Sequence, residues 1–357
     1  MLPVMAAPSA PRLRGLDALR GVAVSAVLLH HYTANYARVT ERPLDTTLYL
    51  PDGHYGVELF FVISGFVILM TLERCRDARE FAVSRFARLV PAFLACLAIS
   101  SLAQLWLPIE GMLPLSAPRL LANLTMMPKL FLEQPVDGVY WTLVHEIGFY
   151  FLAGIGFFLA GPKRIEPLCF AWLCVAFFCR TGAVDVPFQL WILAGVQYAP
   201  HFTLGILIYL WHAGRARPST LILLGFSLAI CITGPVWSLR PISGPAYILV
   251  VAGSAALVAI GSRDGSILGR IAPLVFLGDI SYPLYLLHQN LGYIVIRRLT
   301  DWGCGADLAM LGATAFALAL AYAITRYLEK PARAWLRASL VRPRAHAPAT
   351  AAPRAQA

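Results

Sequence analysis

Gly56-Val57-Glu58-Leu59-Phe60-Phe61-Val62-Ile63-Ser64-Gly65-Phe66, continued by Val67-Ile68-Leu69-Met70, holds a single charged residue, Glu58, near its start. A helix crossing the hydrocarbon of a bilayer needs about 20 mostly apolar residues, and this stretch, taken as residues 55–72, qualifies. Working outward from it, similar runs lie near 19–36, 89–107, 139–160, 166–181, 188–211, 219–238, 244–261, 273–296 and 307–328. The composition of the 357-residue chain agrees: 59% of residues are hydrophobic and 13% charged, with a mean hydropathy of +0.67. Charge at about half the usual share cannot cover a soluble surface. The expected fold class is all-α, a polytopic membrane bundle of about ten transmembrane helices. Segment 108–138 contains Pro108, Pro114, Pro118, Pro128 and Pro135 and reads as a long loop with a re-entrant piece at 120–131. The Ala/Pro-rich ends, 1–11 and 339–357, read as disordered tails flanking a membrane domain over 12–338.

With the N-terminus placed in the cytoplasm, the inner segments carry 21 of the 29 Lys and Arg residues and the outer segments eight. That asymmetry satisfies the positive-inside rule with both termini cytoplasmic, and favours an even number of spans. The net charge of +10 is spread along the chain, without a basic block interleaved with aromatics, so nucleic acid is not an expected partner. No small-residue cleavage site precedes Arg38, and the first span reads as retained rather than as a signal peptide. The seven cysteines show no C-x-x-C pair and no His-rich partner; they read as small apolar fillers, with neither a metal site nor a disulfide framework.

Polar residues inside apolar runs usually face a protein interior or a water-filled cavity, so they are the informative ones. In the first span Arg20 and His31 stand eleven residues apart. They are about 20° off a common helical stripe and roughly 16–17 Å apart along the axis, and are expected to line one cavity. The structural alternative is a snorkelling arginine plus a histidine bonded to a neighbouring helix. In the second span Ser64-Gly65 falls mid-membrane, where small residues let backbones approach, and no G-x-S-x-G nucleophile elbow surrounds the serine. Glu58 reads equally as an interfacial residue. Arg85 and Arg88, three apart at the start of the next helix, can clamp phosphate oxygens or simply anchor the inner face. Glu146, with Tyr150 one turn on, needs a partner such as an imidazole. Ser281, Tyr285 and His288 form one stripe at i, i+4 and i+7, suited to a cavity or to interhelical hydrogen bonds.

Together and in this order, Arg20 to His31, the Gly56–Phe66 block, Arg85-x-x-Arg88, Trp141-Thr142-Leu143-x-x-Glu146, Ser281-Tyr282-Pro283-Leu284-Tyr285-Leu286-Leu287-His288 and the closing Glu329-Lys330-Pro331-Ala332-Arg333 resemble the acyltransferase 3 family of bacterial integral-membrane acyltransferases. The likeness extends over about 12–337. It implies O-acylation, typically acetylation, of a cell-surface or secreted glycan with acyl-CoA from the cytoplasm, by a multi-pass protein of the inner membrane in its stand-alone form. The expected partners are therefore membrane lipid, acyl-CoA as co-substrate and a carbohydrate acceptor, with no permanently bound cofactor and no metal. His145 departs from the family, which more often has a small or branched apolar residue there, and leaves open whether His31 or His145 contacts Glu146.

Within that reading, a neutral imidazole suits proton abstraction near neutral pH. His31 is assigned as base, Glu146 as its orienter, and Arg20 as a stabiliser of donor phosphates or developing charge. Arg85 and Arg88 are assigned to CoA phosphates; Ser64, Tyr285, His288 and Glu58 are secondary candidates for oxyanion or substrate contacts. A transporter also places Arg, Glu and His inside the membrane, but internal repeats are absent from this sequence. A non-catalytic partner in polysaccharide assembly is the other alternative.

Overall fold

The computed structural model describes residues 12–232 and 245–341. The predicted tail 1–11, residues 342–357 of the predicted tail 339–357, and the end of the run 219–238 lie outside the described residues, whereas Ser339 and Leu340, predicted as tail, are helical. Every element among the described residues is helical. In chain order these are α1 (Arg14–His30), which passes through a π-helical turn (His31–Asn35) into α2 (Tyr36–Thr40), then α3 (Gly56–Leu72), α4 (Ala78–Trp106), α5 (Ala117–Leu124), α6 (Trp141–Ala160) and α7 (Ile165–Arg180). They continue with α8 (Phe188–Leu193), α9 (Ala199–His212), α10 (Pro218–Cys231), α11 (Pro245–Gly261), α12 (Ala272–Asp279), α13 (Ser281–Asp301) and α14 (Ala306–Ile324); a second π-helical turn (Thr325–Glu329) leads into α15 (Lys330–Leu340). Four helical stretches among the described residues are long and apolar enough to cross a membrane: Pro51–Leu72, Ala78–Trp106, Gly138–Ala160 and Ala306–Leu340. The run 188–211 is split into α8 and α9, where Gly195 turns with φ +59° and Pro200 opens the next helix. The run 273–296 is likewise divided at Ile280 into α12 and α13. Apolar content sets transfer into lipid; it does not require one continuous helix.

At the centre, α1 packs on α12 and α3, and α3 packs on α9. The α3–α9 crossing is made by Gly65 and Gly205. A Cβ on Gly65 would lie 2.0 Å from the Phe202 carbonyl oxygen, and one on Gly205 would lie 2.0 Å from that of Val62. Ser64-Gly65 therefore does what small residues do in lipid, where close van der Waals packing replaces a hydrophobic drive. Gly65→Ala pushes α3 off α9 and is expected to destabilise the fold by about 1–3 kcal/mol, read as a lower unfolding temperature in detergent. A larger residue such as leucine at position 65 should prevent recovery of folded protein.

The proline-rich segment 108–138 is ordered by one buried side chain. Arg119 donates to the carbonyl oxygens of Leu113 (2.6 Å), Pro114 (3.0 Å), Gln134 (3.2 Å) and Pro135, while Asn123 receives the Val136 N–H at 2.9 Å. The re-entrant piece predicted at 120–131 is the end of α5 followed by a 3₁₀ turn, Pro128–Phe131. The segment leads into Asp137, which is fully buried. It accepts from the N–H of Val139, in the 3₁₀ turn Gly138–Tyr140 that leads into α6, and from that of Asn290 on α13 (3.1 Å), fixing the entry to α6 against α13.

Candidate active site

A cavity of about 840 Å³, open on one side, lies between α1, α3, α4, α6 and α13. Its polar lining comes from all five: Arg20; Ser64; Arg85 and Arg88; Thr142, Glu146 and Tyr150; Ser281, Tyr282 and Tyr285. Six of the nine residues singled out from sequence thus meet in one space: Arg20, Ser64, Arg85, Arg88, Glu146 and Tyr285. The stripes explain why. Glu146 and Tyr150 are one turn apart on α6, as are Ser281 and Tyr285 on α13, and Arg85 and Arg88 share a face of α4.

The charges in this cavity are held in distinct ways. Arg20 donates to Asp17 at 2.9 Å, and Asp17 is also bonded by Arg12. Arg12 reaches Asp279 at 2.9 Å, and Asp279 in turn pairs with Lys330. Arg88 is ion-paired with Glu329, which is 2% exposed. The closing motif therefore ties α15 and the turn before it to α4 through Glu329 and to α12 through Lys330. The Arg85 guanidinium lies 5.8 Å over the Tyr150 ring and touches the Ser84 hydroxyl, and its Nε–H is buried without an acceptor. No ion pair engages Arg85 among the described residues. Of the two arginines assigned to donor phosphates, Arg88 already has a carboxylate and Arg85 has none.

The expected partnership of Glu146 is corrected. Its carboxylate accepts from the Tyr150 hydroxyl one turn away, and among the described residues no hydrogen bond joins it to an imidazole. His145 points to the opposite side of α6, with its ring 5.0 Å from that of Tyr198 and 5.8 Å from that of Trp141. Neither histidine considered for Glu146 contacts it.

His31 lies beyond the end of the cavity instead of in its lining. Tyr285 stands between, its ring meeting Phe60 at 5.9 Å on one side and His288 at 5.7 Å on the other. The shared stripe of Arg20 and His31 holds along α1, but α1 enters its π-helical turn at His31, and the Tyr285 ring stands between that imidazole and the cavity. His31 is half-buried against His288 with ring centroids 4.8 Å apart, and His30 and His54 follow towards the outer loop, their rings 5.0 Å apart.

The hydrogen-bond pattern orients this pair. His288 Nδ1 lies 2.8 Å from the Tyr285 carbonyl oxygen and 3.2 Å from that of Leu284. Both are pure acceptors, so Nδ1 carries the hydrogen and Nε2 of the neutral ring is an acceptor. That Nε2 is 2.9 Å from His31 Nδ1, which also faces the Val27 carbonyl oxygen at 2.9 Å. His31 Nδ1 must therefore be the N–H, and its Nε2 is left with a lone pair. The assignment follows from the network, since hydrogens are placed by inference.

Glu58 is not in the cavity. Six residues before Ser64 on α3, it is turned about 120° away from it, is 6% exposed, and accepts from the Tyr247 hydroxyl at 3.4 Å; that hydroxyl also lies 3.0 Å from His201 Nε2. The sequence reading missed Asp17, Glu329 and Tyr282 as site residues. Asp17 was legible as the i−3 partner of Arg20, whereas the Arg88–Glu329 pair joins positions far apart in the chain and left no local signal.

A helical membrane protein with an arginine-lined cavity backed by an oriented imidazole pair is equipped for moving an acyl group from an anionic carrier to a hydroxyl. Residues 13–326 match the acyltransferase domain of the acyltransferase 3 family. The chain belongs to that family and is an O-acyltransferase of the membrane. It is 27% identical to the exopolysaccharide production protein ExoZ of Rhizobium meliloti over 294 residues, 78% of this chain and 89% of the relative. It is also 27% identical to the acyltransferase MdmB of Streptomyces mycarofaciens over 346 residues, 88% and 87% of the two chains. A shorter match, 36% over 96 residues, covers 25% of this chain and 14% of the O-acetyltransferase OatA of Staphylococcus aureus. No solved structure matches.

Proposed function

We propose that this protein transfers an acyl group, acetyl by default, from cytoplasmic acyl-CoA to a hydroxyl of a cell-surface or secreted glycan, as a multi-pass protein of about ten spans in a bacterial inner membrane with both termini cytoplasmic. The name of the Rhizobium relative, which concerns exopolysaccharide production, and that of the staphylococcal O-acetyltransferase support the acceptor and the group transferred. The single observation that carries the reading is the lone pair left on His31 Nε2 by its bond to His288, at the far end of a cavity whose opposite side holds Arg85 without a carboxylate.

Donor phosphates engage Arg85, with Arg20 beside it, and the acylated arm extends past Tyr285 to His31. His31 Nε2 takes the acceptor hydroxyl proton as the new C–O bond forms. The tetrahedral oxyanion collapses with loss of the C–S bond, and the proton passes to the leaving thiolate, giving ester and CoA thiol. Ser64 and the Tyr285 hydroxyl, which otherwise donates to the Val139 carbonyl oxygen at 3.4 Å, are assigned as donors to the oxyanion, a contribution typically of 10²–10³ in rate. Purified protein incubated with labelled acetyl-CoA and a glycan acceptor tests the reading: label in glycan supports it, while label merely moved across a vesicle membrane, or left in the donor, replaces it with transport or assembly.

His288 acts here as a positioning residue. His288→Ala removes the acceptor that holds His31 Nδ1–H and should lower kcat roughly 10–100-fold with little change in KM for acyl-CoA. His288→Gln, whose side-chain oxygen accepts the same hydrogen bond, should recover most of the rate. Equal loss in both variants would return His288 to a packing role.

A further inference from the structure

Another cavity, about 550 Å³ and open to one side, lies at the foot of α1, where the 263–270 connection folds against it. Its lining holds four arginines, Arg12, Arg14, Arg263 and Arg270, against one acid, Asp264. Arg12 is satisfied by Asp17 and Asp279. The side chains of Arg14, Arg263 and Arg270 take part in no ion pair or hydrogen bond among the described residues, and Asp264 pairs with none of them. Between the arginines the Ser266 hydroxyl oxygen is buried without a hydrogen-bond partner among the described residues.

The cavity is built rather than left over from loose packing. A Cβ on Gly269 would come within 3.0 Å of both the Arg14 Cβ and the Gly15 nitrogen, so the connection lies tight on the first turn of α1, and Gly265 turns it with φ +71°. The 17-residue α1 begins here, and the N–H groups of Arg14, Leu16 and Asp17 in its first turn are taken up by the carbonyl oxygens of Arg12 and Leu13. The guanidinium groups that line the cavity and the Ser266 hydroxyl favour the same occupant, a compact anion with several acceptor oxygens. Arg12 and Arg20 share Asp17, so this pocket stands one carboxylate away from the active-site cavity.

We infer that the pocket formed by Arg12, Arg14, Arg263, Arg270 and Ser266 binds a phosphate group. It opens at the end of the bundle that the arginine count assigns to the cytoplasm, where the headgroup of an acidic phospholipid and a soluble phosphate ester both have access. The inference does not depend on the acyl-transfer reading and stands if that reading fails.

The test uses the full chain in nanodiscs. In one arm, discs of phosphatidylcholine with phosphatidylglycerol are compared with phosphatidylcholine alone, and lipid retained after release is counted by native mass spectrometry. In the other, inorganic phosphate or adenosine 3′,5′-bisphosphate is titrated into phosphatidylcholine discs and the unfolding temperature followed. Arg263→Gln with Arg270→Gln should weaken binding by about tenfold or more, the loss expected on removing charge-assisted contacts. Lys163→Gln with Arg164→Gln, the same charge change on another loop, should leave binding as it was. Loss in the lipid arm identifies a headgroup, and loss in the soluble arm a free phosphate. Binding unaltered by the Arg263/Arg270 variant in both arms, or weakened equally by the Lys163/Arg164 variant, overturns the site.

Discussion

His31→Ala lowers kcat by about 10²–10⁴-fold, the range that a positioned general base supplies, while the protein still inserts and unfolds at nearly the same temperature. The structural argument for both halves is local. His31 makes its hydrogen bonds only through Nδ1, to the Val27 carbonyl and to His288, and it is half-buried. Alanine deprives His288 Nε2 of its donor, a loss of about 1 kcal/mol, and leaves the helix intact. His31→Gln is the sharper variant, because its amide can still donate to His288 yet cannot take a proton at neutral pH. Both variants should be inactive and folded, with acyl-CoA binding retained. Near-normal turnover in either one removes His31 from the chemistry and leaves the cavity without an imidazole base, since among the described residues no imidazole lines it and His31 stands at its end.

The second large effect concerns Arg88. Its partner Glu329 is 2% exposed, and its Oε2 has no other hydrogen bond. Arg88→Met therefore leaves a buried carboxylate without its ion-pair partner, and breaking a buried pair from one side costs about 3–5 kcal/mol. The double variant Arg88→Met with Glu329→Leu removes both charges and should recover most of that loss, since a packed apolar pair often equals a buried ion pair in stability. Thermal unfolding of wild type, single and double variants measures this directly. The same set separates structure from donor binding. Arg85→Ala, which breaks no ion pair, should raise KM for acyl-CoA about tenfold at unchanged stability. If the stable double variant binds acyl-CoA like wild type, Arg88 is a strut and Arg85 carries the phosphate contact. A donor affinity unaffected by Arg85→Ala would place the phosphates elsewhere.

How much of this was legible before any coordinates follows from the range of each interaction. The helical membrane class rests on composition and run length, which are additive along the chain, and every element among the described residues is helical. Arg85 with Arg88, Glu146 with Tyr150, and Ser281 with Tyr285 are neighbours on a helix surface, so their shared direction followed from periodicity alone. The two π-helical turns, His31–Asn35 and Thr325–Glu329, had no such signal. Each shifts the helical phase, and each contains a site residue, His31 and Glu329. π-bulges recur at functional sites, yet nothing in a 3.6-residue period announces one.

By itself, then, the chain's order of residues determined the solvent it folds in, its helical class, its family and which helix faces are polar, because those depend on spacings of a few residues. Tertiary structure alone decided who meets whom: Tyr150 rather than His31 at Glu146, His288 at His31, Glu329 at Arg88, and Tyr247 at Glu58. A buried polar group must find a partner, but several candidates of suitable chemistry lay along the sequence. Only the packing of α1, α4, α6 and α13 around one cavity brought a particular pair within bonding distance.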